Sequence, residues 1–279
     1  MSSGNTVGTA SAAHGAPVAG LPMYDWPELR DLNDRWWSVL RDALREEGFA
    51  APAALARALS LEDLWLHPGL LVGQTCGLPY VRHLQGRVDL LGAPAYRLSG
   101  CRPGHYCSVV VVRADDDVGE LCGLRGRRLA FNHPGSQSGE GALRHMVAPL
   151  AGGAPFFSQV LATGSHRAAL RAVADGAADA AAIDAVSFEL ARLHEPATGK
   201  LRVLVRTPET PGLPLITASR PPREVEKLRN AVALSIGQLD AGTRAGLLLE
   251  GFVPFTPDDY RVISGRDAGA AALGYPDLA

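Results

Sequence analysis

The sequence predicts an α/β protein of two lobes with a cleft between them. Residues 128–194 repeat one order three times: strand, polar turn, helix. The run Tyr106–Arg113, with four consecutive valines, is the strongest strand signal in the chain. The Pro-rich stretch Thr207–Pro214 follows the last repeat and suits a return crossing to the first part of the chain. If the three repeated strands are parallel, the turns at their C-terminal ends share one edge of a sheet, where α/β proteins gather ligand contacts.

The bulk numbers fit that class and exclude others. The 279 residues are 47% hydrophobic and 20% charged with a net charge of -2, an ordinary globular balance that gives no electrostatic footprint for nucleic acid. No apolar window is long enough for a membrane span. Residues 1–16 read as a flexible tail without the basic and apolar regions of a secretory signal, which by itself places the chain in the cytosol. The cysteines Cys76, Cys101, Cys107 and Cys122 show no CxxC pair, and no His/Cys cluster has a zinc spacing, so neither a metal nor a cofactor is expected.

In chain order, residues 17–24 open with a short strand that delivers Tyr24 and Asp25. Leu29, Leu32, Trp36, Leu40 and Ala43 then recur at helical spacing. Pro52–Leu59 reads as a second, shorter helix, and Leu61–Leu66 as a helical turn. Leu70–Gln74 is a buried strand that runs into Thr75-Cys76-Gly77, a polar turn that makes Thr75 and Cys76 candidate ligand contacts. A short helix at Tyr80–Leu84 and a strand at Val88–Ala93 lead to Tyr96.

Arg128–Phe131 is the first repeated strand. It leads through Asn132-His133-Pro134-Gly135 into Ser136-Gln137-Ser138-Gly139 and a helix expected to bury Ala142, Leu143, Met146, Val147 and Leu150. Backbone N–H groups and two hydroxyls at a helix N-terminus form a cradle for an anion; a plain serine cap is the other reading. The second strand, Phe157–Ala162, ends at Thr163-Gly164-Ser165-His166. The third, Ala178–Ile183, ends at Asp184. Lys200–Val205, Leu215–Ala218 and a helix from Pro222 to about Leu239 complete the pattern, and residues 265–279 read as a loose tail. Lobe one is then 17–106 with its return 207–264, lobe two is 109–206, and the chain crosses between them twice.

The islands LPMYD (21–25), LLVGQTCGLP (70–79), GAPAYRLSGC (92–101), YCSVVVVR (106–113), AFNHPGSQSG (130–139), TGSHRAALRAVADGAADAAAID (163–184) and TPGLPLITAS (210–219) cover most of the structured chain. As an ordered set they resemble the phosphate/phosphite/phosphonate-binding components of ABC importers, which have the type II periplasmic binding protein fold. The resemblance implies a hinge and a ligand held between the lobes. It implies Ser136, Gln137 and Ser138 around the anion's oxygens, His166 against the anion, and Asp184 accepting from the ligand's protonated or aminated end. It also implies Tyr24 and Tyr96 framing the site. Gln137 departs from the small hydroxyl residue usual at its position, and Cys76 places a thiol near the expected cleft.

For each residue a plainer reading stands beside the functional one: capping for Ser136, Ser138, Asp184 and Asp25, and packing for His166, Tyr24 and Tyr96. Cys76 is a buried apolar residue, a disulfide partner of Cys101, or a reactive thiol. Cys107 and Cys122 look structural, and His133 is a cleft neighbour at most. The leading expectation is a monomeric binding module that captures a small phosphonate-like anion or other oxyanion and hands it to an ABC permease. A cytosolic enzyme on the same fold, using His166, Asp184 and Cys76, is the second reading; a ligand sensor is the third. The resemblance implies the periplasm, against the cytosol read from the N-terminus.

Overall fold

Val109, Val110, Val111 and Val112 are all fully buried, and they divide between two cores by strand alternation: Val110 and Val112 on one face, Val109 and Val111 on the other. A strand covered on both faces has no solvent side, which is why this run is continuously apolar. Each valine side chain so buried contributes about 2 kcal/mol.

The structure, a computed structural model, describes residues 15–278. Its strands are β1 (Val18–Gly20), β2 (Leu70–Gln74), β3 (Val88–Tyr96), β4 (His105–Tyr106), β5 (Ser108–Arg113) and β6 (Arg128–Phe131). They continue as β7 (Gln159–Ala162), β8 (Ala180–Asp184), β9 (Leu201–Arg206), β10 (Thr210–Pro211), β11 (Leu215–Ala218) and β12 (Leu249–Val253). The helices are α1 (Arg30–Glu46), α2 (Leu61–Trp65), α3 (Gly77–Pro79), α4 (Ala142–Ala151) and α5 (His166–Ala174). After them come α6 (Ala185–His194), α7 (Pro222–Gln238), α8 (Ala241–Gly246) and α9 (Arg261–Ala272).

Two five-stranded sheets form the two lobes. Lobe one has the order β1-β2-β11-β3-β12, and lobe two β7-β6-β8-β5-β9. In lobe two β7, β6 and β8 are mutually parallel, as the repeated order requires, while β5 and β9 extend the sheet antiparallel. Between the lobes β4 pairs antiparallel with β10, tying the two predicted crossings together through Thr210 and Tyr106.

The structure differs from the sequence expectations in four places. Residues 52–59 are not a helix: Ala56 N–H donates to the Ala19 carbonyl at 2.7 Å, and Arg57 reaches Asp25 at 2.6 Å. Pairing with the β1 edge overrides the helical propensity of this Ala/Leu-rich stretch. Tyr24 is delivered by a 3₁₀ turn, Pro22–Tyr24, and not by the strand itself. In α4 Leu150 is exposed and Met146 half-buried, whereas Arg144 is buried, ion-paired with Asp267 and bonded to the Pro276 carbonyl. The fourth difference explains that burial. Residues 265–278 are not loose, because α9 continues to Ala272, Gly274 ends it at φ 76°, and Tyr275 and Leu278 are buried in the lobe-two core.

Helix α9 therefore begins against lobe one, where Ile263 joins the core of β2, β3 and β11, and finishes against lobe two, where Ala270 packs beside α4. The chain crosses between the lobes three times, not twice. The tail expected over 1–16 lies outside the described residues except for its last two. Among the described residues no helix is long and apolar enough to cross a membrane, and no group of His, Cys, Asp or Glu could hold a metal ion.

Candidate functional site

Each of the three parallel strands hands the chain to a helix through a side-chain cap, and each cap shapes the same edge. After β6, Ser136 Oγ accepts from Gly139 N–H at 3.1 Å and starts a π-helical turn, Gln137–Gly141, that runs into α4. After β7, Ser165 Oγ accepts from Ala168 N–H at 3.1 Å, which makes His166 the first residue of α5. Asp184 ends β8 and caps α6, its Oδ1 accepting from Ser187 N–H at 2.7 Å. Gly139 has a packing reason for being glycine: a Cβ there would run into the Asn132 side-chain oxygen.

The side chains on this edge form one network with lobe one. Ser138 Oγ lies 3.0 Å from His166 Nε2 and 3.5 Å from Ser136 Oγ, and Ser108 Oγ donates to the Ser138 carbonyl at 2.8 Å. Across the cleft, Tyr24 OH donates to Asp184 Oδ2 at 3.0 Å. Tyr24 stands edge-on to Tyr96 with ring centroids 5.2 Å apart, and Gln74 Nε2 donates to Tyr96 OH at 3.1 Å. Gln137 N–H donates to Cys76 Sγ at 3.3 Å. Behind Tyr24, Gln74 and Tyr96 a void of about 10 Å³ is closed by Trp36, Leu247 and Leu249 of the core.

Burial dominates the electrostatics. It pushes the Asp184 carboxyl up to about 6, although bonds from Ser187 and Tyr24 pull the other way. It pulls His166 down to about 3, helped by the neighbouring charge of His133, so the imidazole is neutral. His166 keeps some residue surface, but its Nδ1 is sealed from solvent, and the Ala182 backbone only partly offsets the effect of burial. Burial also raises the Cys76 thiol, so it stays protonated, and raises Tyr24 and Tyr96. No Lys or Arg side chain belongs to this network among the described residues. Its polar groups are hydroxyls, amides, one neutral imidazole and one carboxyl.

The nine candidates fall at this one place, though not in the same way. Ser136, Ser138, His166 and Asp184 line the lobe-two edge; Tyr24, Cys76 and Tyr96 meet it from lobe one. Gln137 contributes its N–H to Cys76. Its side chain lies over α3 and the π-turn: a Cβ on Gly77 would sit 3.7 Å from Gln137 Cγ, and one on Gly141 3.0 Å from Gln137 Oε1. Thr75 is fully buried, and its Oγ1 has no hydrogen-bond partner.

Other candidates fall elsewhere. All four cysteines are free, so Cys76 has no disulfide with Cys101; the neighbour of Cys101 is Cys107, whose thiol shares a hydrogen bond with it. Cys122 is exposed rather than packed. Asp25 pairs with Arg57 and accepts from Asn33 at 3.1 Å, away from the network. Sequence reasoning missed Gln74 and Ser108. Gln74 and Ser108 lie in strands that read as purely structural, and only alternation next to Thr75 and the valine run could have flagged them.

At the mouth of the cleft Arg167 of lobe two binds both Glu28 carboxylate oxygens of lobe one, at 2.9 and 3.0 Å. Its guanidinium also stacks 4.8 Å over the Trp26 ring.

Residues 72–260 match the profile of a family described as ABC transporter, phosphonate, periplasmic substrate-binding protein. A comparison with curated protein sequences finds no match. Solved structures share the fold at low identity. A binding component of an ABC phosphonate transporter from Pseudomonas aeruginosa aligns at 18% identity and a TM-score of 0.72, over 93% of this chain and 88% of that one. A Xanthomonas citri protein bound to ATP aligns at 18% and 0.67, over 88% and 94%. A Prochlorococcus marinus protein in complex with methylphosphonate aligns at 17% and 0.65, over 87% and 94%.

Proposed function

The chain belongs to the family of periplasmic substrate-binding proteins of ABC phosphonate transporters, and we propose that it captures a small phosphonate-like oxyanion between its lobes for delivery to a membrane permease. The observation that carries this reading is the pairing of Ser138 with His166 at 3.0 Å, beside the Ser136 cap and at the N-terminal end of the π-turn and α4. Hydroxyls and an imidazole N–H are donors suited to a tetrahedral anion. On this reading the chain works in the periplasm, where the family acts.

Recognition without a cationic side chain makes the site selective by hydrogen bonding. An anion there gains from short donor contacts in a dry cleft, and a ligand that leaves those donors unpaired loses heavily. Asp184 sets the sign at the other end. Protonated, it donates a hydrogen bond to the ligand; ionised, it accepts one from a ligand hydroxyl or amine. Binding and release then follow from parting and closing of the lobes about the crossings. The Cys76 thiol, kept protonated by burial, favours holding a ligand over attacking one.

Titration calorimetry and thermal shift with methylphosphonate, inorganic phosphate, sulfate and a neutral sugar test this. At least one oxyanion should bind and raise the melting temperature. Stabilisation by the neutral sugar alone overturns the reading.

A further inference from the structure

The loop between β3 and β4 folds back on itself at Arg102-Pro103-Gly104-His105. His105 N–H donates to the Arg102 carbonyl at 2.9 Å, and Gly104 takes φ 71° with a proline before it, the pattern of a type II turn. The turn is pinned to the segment around β10. Gly212 N–H donates to the Gly104 carbonyl at 2.7 Å, and Arg102 N–H donates to Glu209 Oε2 at 2.9 Å. This reversal returns Cys101 to Cys107, and the Cys101 thiol donates to the Cys107 sulfur.

Both sulfurs are free, and they are placed differently. Cys107 is buried at the junction of β4 and β5, where the chain leaves lobe one, and packs in a lobe-two core with Val109 and Val111. Cys101 lies against the same core but keeps surface in solvent. Arg206, at the end of β9, places Nη1 3.7 Å from Cys107 Sγ. The hydrogen bond from Cys101, and after it the Arg206 guanidinium, hold the Cys107 thiol below its ordinary 9.0, at about 7, against the effect of burial. Neither sulfur enters the Ser138–His166 or Tyr24–Asp184 bonds.

We propose that Cys101 and Cys107 form a redox-active dithiol site that a disulfide-bearing oxidant converts to an intrachain disulfide across the turn. Cys101, the sulfur nearer solvent, passes its proton to Cys107 along their hydrogen bond and attacks one sulfur of the oxidant, whose other sulfur leaves as a thiolate. Cys107, its thiolate held by Arg206, then attacks Cys101 Sγ and expels the second thiolate. The two protons of the pair end on the two departing thiols, and two electrons pass from the protein to the oxidant. The new bond fixes the loop after β3 to the residue where the chain passes from lobe one to lobe two. It persists in an oxidising compartment and needs no bound solute.

Peptide mapping tests the pair. Trypsin does not cut the Arg102–Pro103 bond, so both sulfurs stay in one peptide, residues 98–113. The folded protein is reduced, treated with oxidised glutathione, alkylated with N-ethylmaleimide in denaturant, digested and weighed. The parent peptide should carry no maleimide and be two hydrogens lighter than its reduced form. Cys107→Ser should retain glutathione on Cys101, and Cys101→Ser should leave Cys107 alkylated. Two maleimide groups on the parent peptide, glutathione that stays on it, or a link from either sulfur to Cys76 or Cys122 overturns the site. Glutathione on Cys107 in Cys101→Ser, or none on Cys101 in Cys107→Ser, overturns the assignment of Cys101 as the attacking sulfur.

Discussion

The Tyr24 phenol donates to Asp184 Oδ2 at 3.0 Å across 160 residues of sequence, joining a turn of lobe one to the last residue of a lobe-two strand. It is a bond between lobes, made inside the cleft, and it also lowers the tendency of Asp184 to take up a proton. Tyr24→Phe keeps the edge-on contact with Tyr96 and removes only this link. We expect a larger open population in small-angle scattering and about tenfold weaker affinity for methylphosphonate, as for the loss of one hydrogen bond to a carboxylate. Unchanged scattering and affinity together would mean that the bond does not hold the lobes.

The two serines of the turn separate by role. Ser136 caps the π-turn through Gly139 N–H, so Ser136→Ala should cost about 1 kcal/mol of stability in urea unfolding. Ser138 caps nothing and faces His166, so Ser138→Ala should leave stability near that of the parent and weaken oxyanion binding roughly tenfold or more. Equal effects of the two variants on both measurements contradict this division.

Asp184 and His166 set opposed pH dependences. Asp184 ordinarily titrates at 3.8 and does so at about 6 in the fold, so between those values the folded protein keeps a proton that the unfolded chain has lost. Stability from this group is complete below pH 3.8 and falls as pH rises through 6. His166 ordinarily titrates at 6.5 and does so at about 3 in the fold; its contribution is complete above 6.5 and is lost as pH drops. Across the overlap the two slopes, each about 1.4 kcal/mol per pH unit, cancel. Asp184→Asn removes one of them. Urea midpoints between pH 4 and 6 should then fall steadily toward acid in the variant and stay nearly flat, as far as these two groups decide it, in the parent. Parallel curves rule this out.

Arg167 clasps the rim through Glu28 and Trp26. The ion pair is partly exposed and screened by salt, so its worth is about 1 kcal/mol together with the ring contact. Arg167→Gln should raise the dissociation rate of methylphosphonate about three- to tenfold in stopped-flow, and the difference from the parent should shrink in high salt. A parent-like dissociation rate at low salt rejects the clasp.

Much of the site could be read from order along the chain. Ser136, Ser138, His166 and Asp184 each follow a short apolar strand and open a helix, and parallel pairing of β6, β7 and β8 puts such junctions on one edge. Strand β12 was missed because Leu249–Val253 is short and interrupted by Gly251. Helix α9 was missed because its Ala/Gly-rich sequence has almost no apolar stripe; its small side chains instead allow a close approach to α4.

By itself the sequence determined the two-lobed α/β class and the three strand–turn–helix junctions that open α4, α5 and α6. These depend on side-chain periodicity and on contacts within a few residues, which a linear chain displays. The tertiary structure alone decided that residues 52–59 pair with an edge instead of coiling and that the C-terminal helix ties the lobes together. It alone decided that Cys76 meets Gln137 rather than Cys101, and that burial leaves Asp184 near 6 with His166 neutral. Each of these turns on what lies next to a group in space and on how much water reaches it, quantities set when distant segments close on one another.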